Sequence, residues 1–559
     1  MEKIFRIFGK EYSSINQAAF LLGLFAFLSQ VLGLFRDRFI AHFIGPSPLL
    51  DTYYAAFRIP DLIFISIASL ASITVLIPFM VEKTNDDPTG ESTRNFISSI
   101  FTVFFSVLVL VATATFVLMP YIVHLVAPGF PEVMQVKTID LSRIMLLSPI
   151  LLGLSNLFGS ITQLHRKFFI YALSPLLYNL GIITGIVLLY PYFGIEGLAM
   201  GVVLGAFMHF AIQAFTSSRL GFSPKFSLNI NFKEVKKVLM VSLPRTLGLS
   251  LNNLALIVIV SFASFLSSGS ISIFNLSLNL QSVPLGIIGL SYAVAAFPTL
   301  TKSYSAGRID DFKNQLRSAA NQIIFWSLPV TFLFIVLRAQ IVRVILGSGS
   351  FSWENTRLVA ASLAVFSISV VAQGLIALFA RSYYAVGNTK RPLYINLVSS
   401  ILIVIFSYVF LYLFKTYPTF HNFIEVILKV EGIRGTEVLM LPLAYSLGTI
   451  INCTLLWISI KRGFMKGEYF IFKNFFQSLT ASFFIGFVSY LGLNIFDGMF
   501  SNDTFWGVLL SGLLSGILGI MAGVTMLVIF KNKELADLAR MLRTKFWKTR
   551  DLVADQESM

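Results

Sequence analysis

The sequence predicts an all-α polytopic membrane protein with fourteen transmembrane helices, and three observations lead to this prediction. Hydrophobic residues make up 56% of the 559 residues and charged residues only 12%, whereas soluble domains are about 25% charged. Apolar stretches of the ~20 residues that a spanning helix needs recur along the whole chain. The basic residues collect in alternate loops, so the net charge of +15 reflects topology and argues against nucleic acid as a partner.

The apolar stretches divide into two sets of six, with two more at the end of the chain. Their approximate ranges are 17–44, 50–80, 96–123, 139–164, 168–191, 196–217, 237–265, 270–301, 317–338, 355–381, 392–415, 437–460, 474–496 and 504–530. Residues 1–16 lack the apolar core of a cleavable signal peptide, so we expect the first stretch to be a true span.

Loop charge predicts the orientation of these spans. One set of loops carries about thirty of the 42 basic residues, and the opposite set carries about six. Because basic loops stay in the cytoplasm, we expect both termini there and an even number of spans. The basic tail, with seven Lys and Arg from Lys531 to Arg550, is expected to contact anionic membrane lipid.

The two halves of the chain repeat one pattern, in which a polar-marked helix leads to a second helix that contains a proline. Pro60 interrupts the second span and Pro284 the eighth. In transporters built on such repeats, interrupted helices line or gate a site near mid-membrane. The predicted domains are an N-lobe at 1–218 (helices 1–6), a C-lobe at 219–462 (helices 7–12), helices 13–14 at 463–532 and a basic cytoplasmic tail at 533–559.

The first span carries charges within its apolar sequence, SQVLGLFRDRF at 29–39. Small residues ending at Gly33 share one helix face with Arg36, which is typical of a cavity wall or of tight packing. We expect Asp37 to neutralise an arginine. Arg38 points about 200° away from Arg36, so we expect it to reach the outer interface.

The second span has a polar stripe. Asp51, Tyr54, Arg58 and Asp61 follow one another at intervals of 3, 4 and 3 residues, beside Pro60. A charge at mid-bilayer costs at least ~2.5–3.5 kcal/mol, so the stripe should face protein or water. Two interpretations stay open. The charges form an ion-pair network that joins the first two helices, or the arginines bind phosphate, which suits their forked geometry.

Further polar residues lie in spans seven and eight. Arg245 follows a proline near the predicted cytoplasmic end of span seven, where it is either a substrate contact or an interfacial anchor. Amides in spanning helices either bridge helices or line a cavity. Those in these two spans are Asn252, Asn253, Asn275, Asn279 and Gln281.

Motifs for catalysis and for metal or nucleotide binding are missing from the sequence. There is no P-loop, HExxH, GxSxG or pair of carboxylates with catalytic spacing, and the five histidines lack ligand spacing. The single cysteine, Cys453, excludes an intrachain disulfide and a cysteine metal cage. We therefore expect neither an enzyme nor a resident metal or cofactor.

Several stretches resemble the MurJ/MviN lipid II flippases of the MOP exporter superfamily. They are SQVLGLFRDRFIAHFIGPSPLLDTYYAAFRIPDL at 29–62, VAPGF at 126–130, FIYALSPLLYNLGII at 169–183, SFASFLSSGSIS at 261–272, VPLGIIGLSYAVAAFPTLTK at 283–302 and ARSYYAVGNTKRPL at 380–393. The resemblance implies two pseudo-symmetric six-helix lobes, with the last two helices forming a groove for the lipid tail. It also implies alternating access and transport of undecaprenyl-pyrophosphate-linked peptidoglycan precursor from the cytoplasmic to the outer leaflet of the bacterial inner membrane, for cell wall synthesis.

The resemblance also suggests site residues. The family's cavity arginine and aspartate match Arg36 and Asp37, and its aspartate early in helix two matches Asp51. Other family arginines are replaced, so the cavity is less basic than the family's; the positions concerned hold Gln30, Phe64 and Asn279. The predicted substrate-binding set is Arg36, Arg58, Gln30, Asn279 and Arg245, and the predicted ion-pair and gating set is Asp37, Asp51, Asp61, Gly33, Pro60 and Pro284.

Other functions stay open on the sequence alone. The chain could instead move another polyprenyl-linked glycan or act as a MATE-like exporter, and a non-transporting membrane scaffold for wall enzymes is a further alternative. We expect coupling to the membrane potential or to a monovalent cation. The expected partners are the lipid-linked precursor and membrane lipid, with a monomer that contacts cell-wall synthesis enzymes.

Overall fold

The structure, a computed structural model, describes residues 15–68, 73–87, 90–227, 229–465, 472–501 and 503–546. Within these ranges the chain folds into helices joined by short connections, and no strand is found there. The predicted all-α class is confirmed.

The described helices of the first half range from 4 to 36 residues in length. They are α1 (Ile15–Phe43), α2 (Pro48–Ile63), α3 (Ile73–Asp86), α4 (Glu91–Val126), α5 (Glu132–Met145), α6 (Leu147–Leu164), α7 (Phe168–Thr184), α8 (Tyr190–Phe193), α9 (Ile195–Arg219), α10 (Phe232–Ala263) and α11 (Ser270–Pro284).

The second half continues in the same manner and ends in an amphipathic helix. Its helices are α12 (Ser291–Ser305), α13 (Ile309–Val336), α14 (Arg338–Leu346), α15 (Trp353–Ser367), α16 (Val370–Ala385), α17 (Lys390–Thr416), α18 (Pro418–Leu428), α19 (Met440–Gly463), α20 (Phe472–Phe496), α21 (Phe505–Ile529) and α22 (Lys533–Phe546). A 3₁₀ turn, Thr436–Leu439, precedes α19.

Two of the π-helical segments lie beside the prolines of the sequence repeat. The segment Phe64–Ala68 follows Pro60 by one turn, and Leu285–Leu290 follows Pro284 directly. Proline cannot donate the backbone hydrogen bond of a regular helix, and a π-turn accommodates such a break. The irregular positions predicted for the second and eighth spans are therefore present.

The count of fourteen spans is not confirmed. Eleven described helices are long and apolar enough to cross a membrane, or twelve if the bent pair α15 and α16 is one span. These twelve coincide with predicted spans three to fourteen. The first two predicted spans correspond to α1 and to α2 with α3. They carry the charges of both polar stretches, and residues 69–72, between the π-helix and α3, lie outside the described residues.

The chain divides into two compact units. The first comprises Met1–Val283, Val342–Phe366 and Gly387–Leu455. In it α7 crosses α9 at backbone contact, because a Cβ added at Gly181 would lie 2.2 Å from the Cα of Gly205. This unit contains α1, α2 and nearly all of α11, which carry most of the predicted site residues, and α10, which carries Arg245.

The second unit comprises Pro284–Ile341, Ser367–Val386 and Leu456–Met559. Its α20 and α21 pack closely along their lengths, and α13 packs against α20. Phe325, Ala481 and Leu527 form a buried apolar cluster among these three helices.

Candidate functional site

The charges of α1 form an ion pair within the first unit. Arg36 donates from Nε and Nη2 to Oδ1 of Asp37, at 3.0 and 2.8 Å. The arginine side chain is 24% exposed and the aspartate 4%. Arg36 also bonds a neighbouring helix, because its Nη1 donates to Oδ1 of Asn179 on α7 at 3.3 Å. The expected counter-charge of Arg36 is therefore Asp37.

The same aspartate binds α11. Asn279 donates from Nδ2 to Oδ2 of Asp37 at 3.1 Å, so both carboxylate oxygens of Asp37 accept hydrogen bonds. Asn279, predicted as a substrate-binding residue, thus lies beside Arg36 and joins α11 to α1.

Arg58 joins α2 to α11 one turn away. Its Nη2 donates to Oδ1 of Asn275, which in turn donates from Nδ2 to the carbonyl of Ile271 at 2.7 Å. The hydrogen bond that Arg58 makes in the described part of the chain therefore goes to Asn275 and not to Asp61. Asp61 is half-buried and interacts electrostatically with Arg58 and Arg36.

Asp51 holds the beginning of α11. Its Oδ2 accepts from the backbone N–H of Gly269 at 2.7 Å, and its Oδ1 accepts from the N–H and the hydroxyl of Ser272 at 2.8 and 2.6 Å. A carboxylate at a helix N-terminus satisfies unpaired N–H groups and interacts favourably with the helix dipole. Asp51 is therefore a cap supplied to α11 by another helix.

We call these contacts the polar cluster. They bring together residues of α1, α2 and α11, namely Arg36, Asp37, Asp51, Arg58, Asn275 and Asn279. One arginine nitrogen in it lacks a bond: Nε of Arg58 is buried, with no hydrogen-bond partner in the described part of the chain. An unpaired, buried donor on a charged side chain suits an oxyanion.

The remaining predicted site residues lie on α1, α2, α10 and α11. Gln30 is half-buried on α1, and a Cβ added at Gly33 would meet nothing within 4 Å, so that face is open. Pro60 is buried in α2. The backbone of Arg245 lies in α10, but its side chain lies outside the described residues.

Arg38 has a partner far along the chain. Its Nη1 donates to the carbonyls of Val344 and Ile345, at 2.6 and 3.2 Å, at the end of α14. A cation at the C-terminus of a helix binds otherwise unpaired carbonyls. Arg38 therefore fastens the end of α1 to α14, a contact that sequence reasoning did not predict.

A second contact between the predicted N-lobe and the predicted C-lobe lies near the C-terminal end of α3. Lys83 forms an ion pair with Glu234 near the start of α10, and Lys237 lies over the ring of Phe79 at 5.6 Å. In the first unit, therefore, the segment from α2 to α3 contacts the start of α11 through Asp51 and the start of α10 through Lys83.

Sequence reasoning missed Asn179 and the backbone N–H of Gly269. Asn179 is 143 residues from Arg36, and the signal that could have found it is a lone amide in the apolar sequence of α7. Among the described residues no group of three or more His, Cys, Asp or Glu could hold a metal ion. The polar cluster offers positively charged hydrogen-bond donors, Arg36 and Arg58, beside the carboxylates of Asp37 and Asp51.

Comparison with known proteins gives consistent results. The chain matches the family model for the lipid II flippase MurJ over residues 40–510. It is 30% identical, over 401 residues, to the probable lipid II flippase MurJ of Buchnera aphidicola subsp. Schizaphis graminum (strain Sg), covering 69% of this chain and 76% of the relative.

Solved structures show the same fold. A lipid II flippase MurJ in an inward closed conformation has a TM-score of 0.73 and 22% identity, covering 93% of this chain and 100% of the other. An inward-facing multidrug resistance MATE family transporter of the MOP superfamily has a TM-score of 0.63 and 14% identity, covering 79% and 97%. The predicted MOP exporter fold is confirmed.

Proposed function

The chain belongs to the lipid II flippase MurJ family, and we propose that its polar cluster binds the pyrophosphate of lipid II during transport from the cytoplasmic to the outer leaflet. It is a multi-pass membrane protein, and membership in this family implies the bacterial inner membrane and a role in peptidoglycan synthesis. A flippase moves its lipid without making or breaking a covalent bond, so the chain is a transporter.

The observation that supports this proposal is the hydrogen bonding of the two arginines of the cluster. Arg36 and Arg58 are held by Asp37, Asn179 and Asn275 through hydrogen bonds that a phosphate oxygen can replace. Phosphate is also a stronger acceptor than an amide oxygen, because it is charged. The buried Nε of Arg58 adds a donor that no described residue uses.

Exchange of these bonds links binding to movement. Asn275 and Asn279 hold α11 to α2 and to α1 through Arg58 and Asp37. When pyrophosphate takes Arg58 from Asn275, α11 loses one of its contacts to α2. The ligand thereby favours a state in which these helices separate, which is the differential interaction that alternating access requires.

The termini are proposed to be cytoplasmic, because about thirty of the 42 basic residues lie in the loops on that side. The end of α1 at Phe43, with the Asp51 cap, then faces outward and forms the outer gate. We also propose a monomer driven by the membrane potential. Outward movement of negative charge is favoured by ~2.3 kcal/mol per charge at 100 mV, positive outside.

The test is the leaflet distribution of lipid II in bacteria depleted of their own flippase and complemented with this chain. The wild-type chain should restore outer-leaflet lipid II, and Arg36→Ala should not, at equal protein level. The matched control is Arg143→Ala, a half-buried arginine outside the cluster that lies over the ring of Phe116. Full rescue by Arg36→Ala would refute the site, and failure of the wild-type chain would favour another substrate or a scaffold.

A further inference from the structure

Tyr54 lies on the same face of α2 as Asp51 and Arg58, one turn from each. Its side chain is buried, with the residue 9% exposed. Its hydroxyl has no hydrogen-bond partner in the part of the chain that the structure describes. Burying an unpaired hydroxyl costs free energy, so native proteins keep such groups rarely and often for function.

The surroundings of Tyr54 are those of the polar cluster. Its hydroxyl interacts electrostatically with Arg36, Asp37 and Arg58. The buried Nε of Arg58, one turn along the same face, is likewise an unused donor. Two unpaired donors on adjacent turns of one face fit an acceptor with several oxygens.

Another unpaired donor nearby does not belong to this group. Nε2 of Gln281 on α11 is also buried without a partner in the described residues. Gln281 lies two residues from Asn279, which places it about 200° round the helix, away from the face that bonds Asp37. Tyr54 and Arg58 therefore supply the two unpaired donors on this face of α2, and Gln281 is not grouped with them.

We infer that Tyr54 is a further substrate-binding residue, whose hydroxyl donates to a pyrophosphate oxygen beside the one held by Arg58. The inference rests on the proposed function. A neutral donor adds a bond without another positive charge to be buried, and burying an uncompensated charge is costly.

Substitution of the hydroxyl separates a binding role from a structural one. Tyr54→Phe removes a group that is unpaired without ligand, so thermal stability should stay unchanged or rise. Affinity for a pyrophosphate lipid should fall about tenfold, the loss of one hydrogen bond to a charged group. The matched control is Tyr383→Phe, because the hydroxyl of Tyr383 is paired with Ser459 at 2.6 Å. It should lower the thermal midpoint and leave affinity unchanged.

The experiment uses the purified full-length protein in micelles, with undecaprenyl pyrophosphate as the probe and undecaprenyl phosphate for comparison. Weaker pyrophosphate binding by Tyr54→Phe at an unchanged thermal midpoint supports the inference. Unchanged binding overturns it, as does a fall in midpoint as large as that of Tyr383→Phe.

Arg58→Ala in the same assay separates the two proposals. If Arg58→Ala loses binding and Tyr54→Phe keeps it, the inference about Tyr54 fails and the proposed site stands. If both keep wild-type affinity, the proposed site itself fails, and the Tyr54 inference fails with it.

Discussion

The polar cluster and the contact between α20 and α21 hold helices together in opposite ways. In the cluster, α1, α2 and α11 meet through charged and amide side chains. Between α20 and α21, glycines and serines bring the helices to backbone contact. A Cβ added at Gly519 would lie 2.0 Å from Oγ of Ser489 and 2.6 Å from the carbonyl oxygen of Ile485.

The difference indicates which contacts can be remade. A hydrogen bond from an arginine can pass from an amide to a phosphate oxygen with little loss, so a ligand can release the cluster. Contact between small residues in lipid depends on close fit and offers nothing that a ligand can replace. We therefore expect α20 and α21 to move as one body and α11 to change partners.

The largest effect on stability is expected from Gly519→Leu. The new side chain would overlap both a side chain and the backbone of α20, so the two helices must separate. We expect a loss of about 3 kcal/mol, the upper part of the range for overpacking. The thermal midpoint of the purified protein measures it.

The control for this substitution is Gly23→Leu on α1, where a Cβ would meet nothing within 4 Å. Leucine there has higher helix propensity than glycine, so the midpoint should not fall. Equal midpoints for the two leucine variants would refute the tight contact of α20 with α21.

An intermediate effect is expected from Asp51→Ala in the polar cluster. It removes three hydrogen bonds to the N-terminus of α11 and leaves the N–H groups of Gly269 and Ser272 unpaired. We expect the free energy of unfolding to fall by about 1–3 kcal/mol. Transport should be affected more than stability, because the Asp51 cap belongs to the proposed outer gate. Asp51→Asn keeps one acceptor oxygen, so its stability and its transport rate should lie between those of Asp51→Ala and those of the wild type. A transport rate equal to wild type in Asp51→Ala would contradict a role of the cap in gating.

The sequence predicted the fold more fully than the site. The length of the apolar stretches located spans three to fourteen, because this signal is local. Pro60 and Pro284 located the irregular helices for the same reason. Asn179, the second partner of Arg36, is 143 residues away, and the carbonyls that Arg38 binds are more than 300 residues away, so no pattern within α1 could identify these pairings.

The roles of single residues were the least predictable part. The stripe on α2 was visible from spacing, but spacing allowed Arg58 to pair with Asp61 within the helix. In the fold, Arg58 donates its hydrogen bond to Asn275 on α11, a partner 217 residues away. Asp51 was expected as an ion-pair or gating residue. Its three partners are a hydroxyl and two backbone N–H groups, so it forms no ion pair with a described residue, and its gating role stays a prediction.

The smallest effect on stability is expected from breaking the ion pair between α3 and α10. The side chains of Lys83 and Glu234 are 27% and 25% exposed, so their ion pair is partly screened by solvent. Lys83→Gln, Glu234→Gln and the double variant form a cycle whose coupling should be below about 1 kcal/mol. A coupling as large as the loss in Asp51→Ala would mean that this pair, too, is a principal gate contact.

Binding of pyrophosphate by Arg36 and Arg58 is the central claim, and affinity for undecaprenyl pyrophosphate relative to undecaprenyl phosphate tests it most directly. The purified wild-type protein should prefer the pyrophosphate lipid. Arg36→Ala and Arg58→Ala should each weaken pyrophosphate binding by about a hundredfold, the loss of a bidentate charged contact of ~3 kcal/mol, while Arg143→Ala keeps wild-type affinity. Equal binding of both lipids by the wild type, or undiminished binding by both cluster variants, would contradict the assignment.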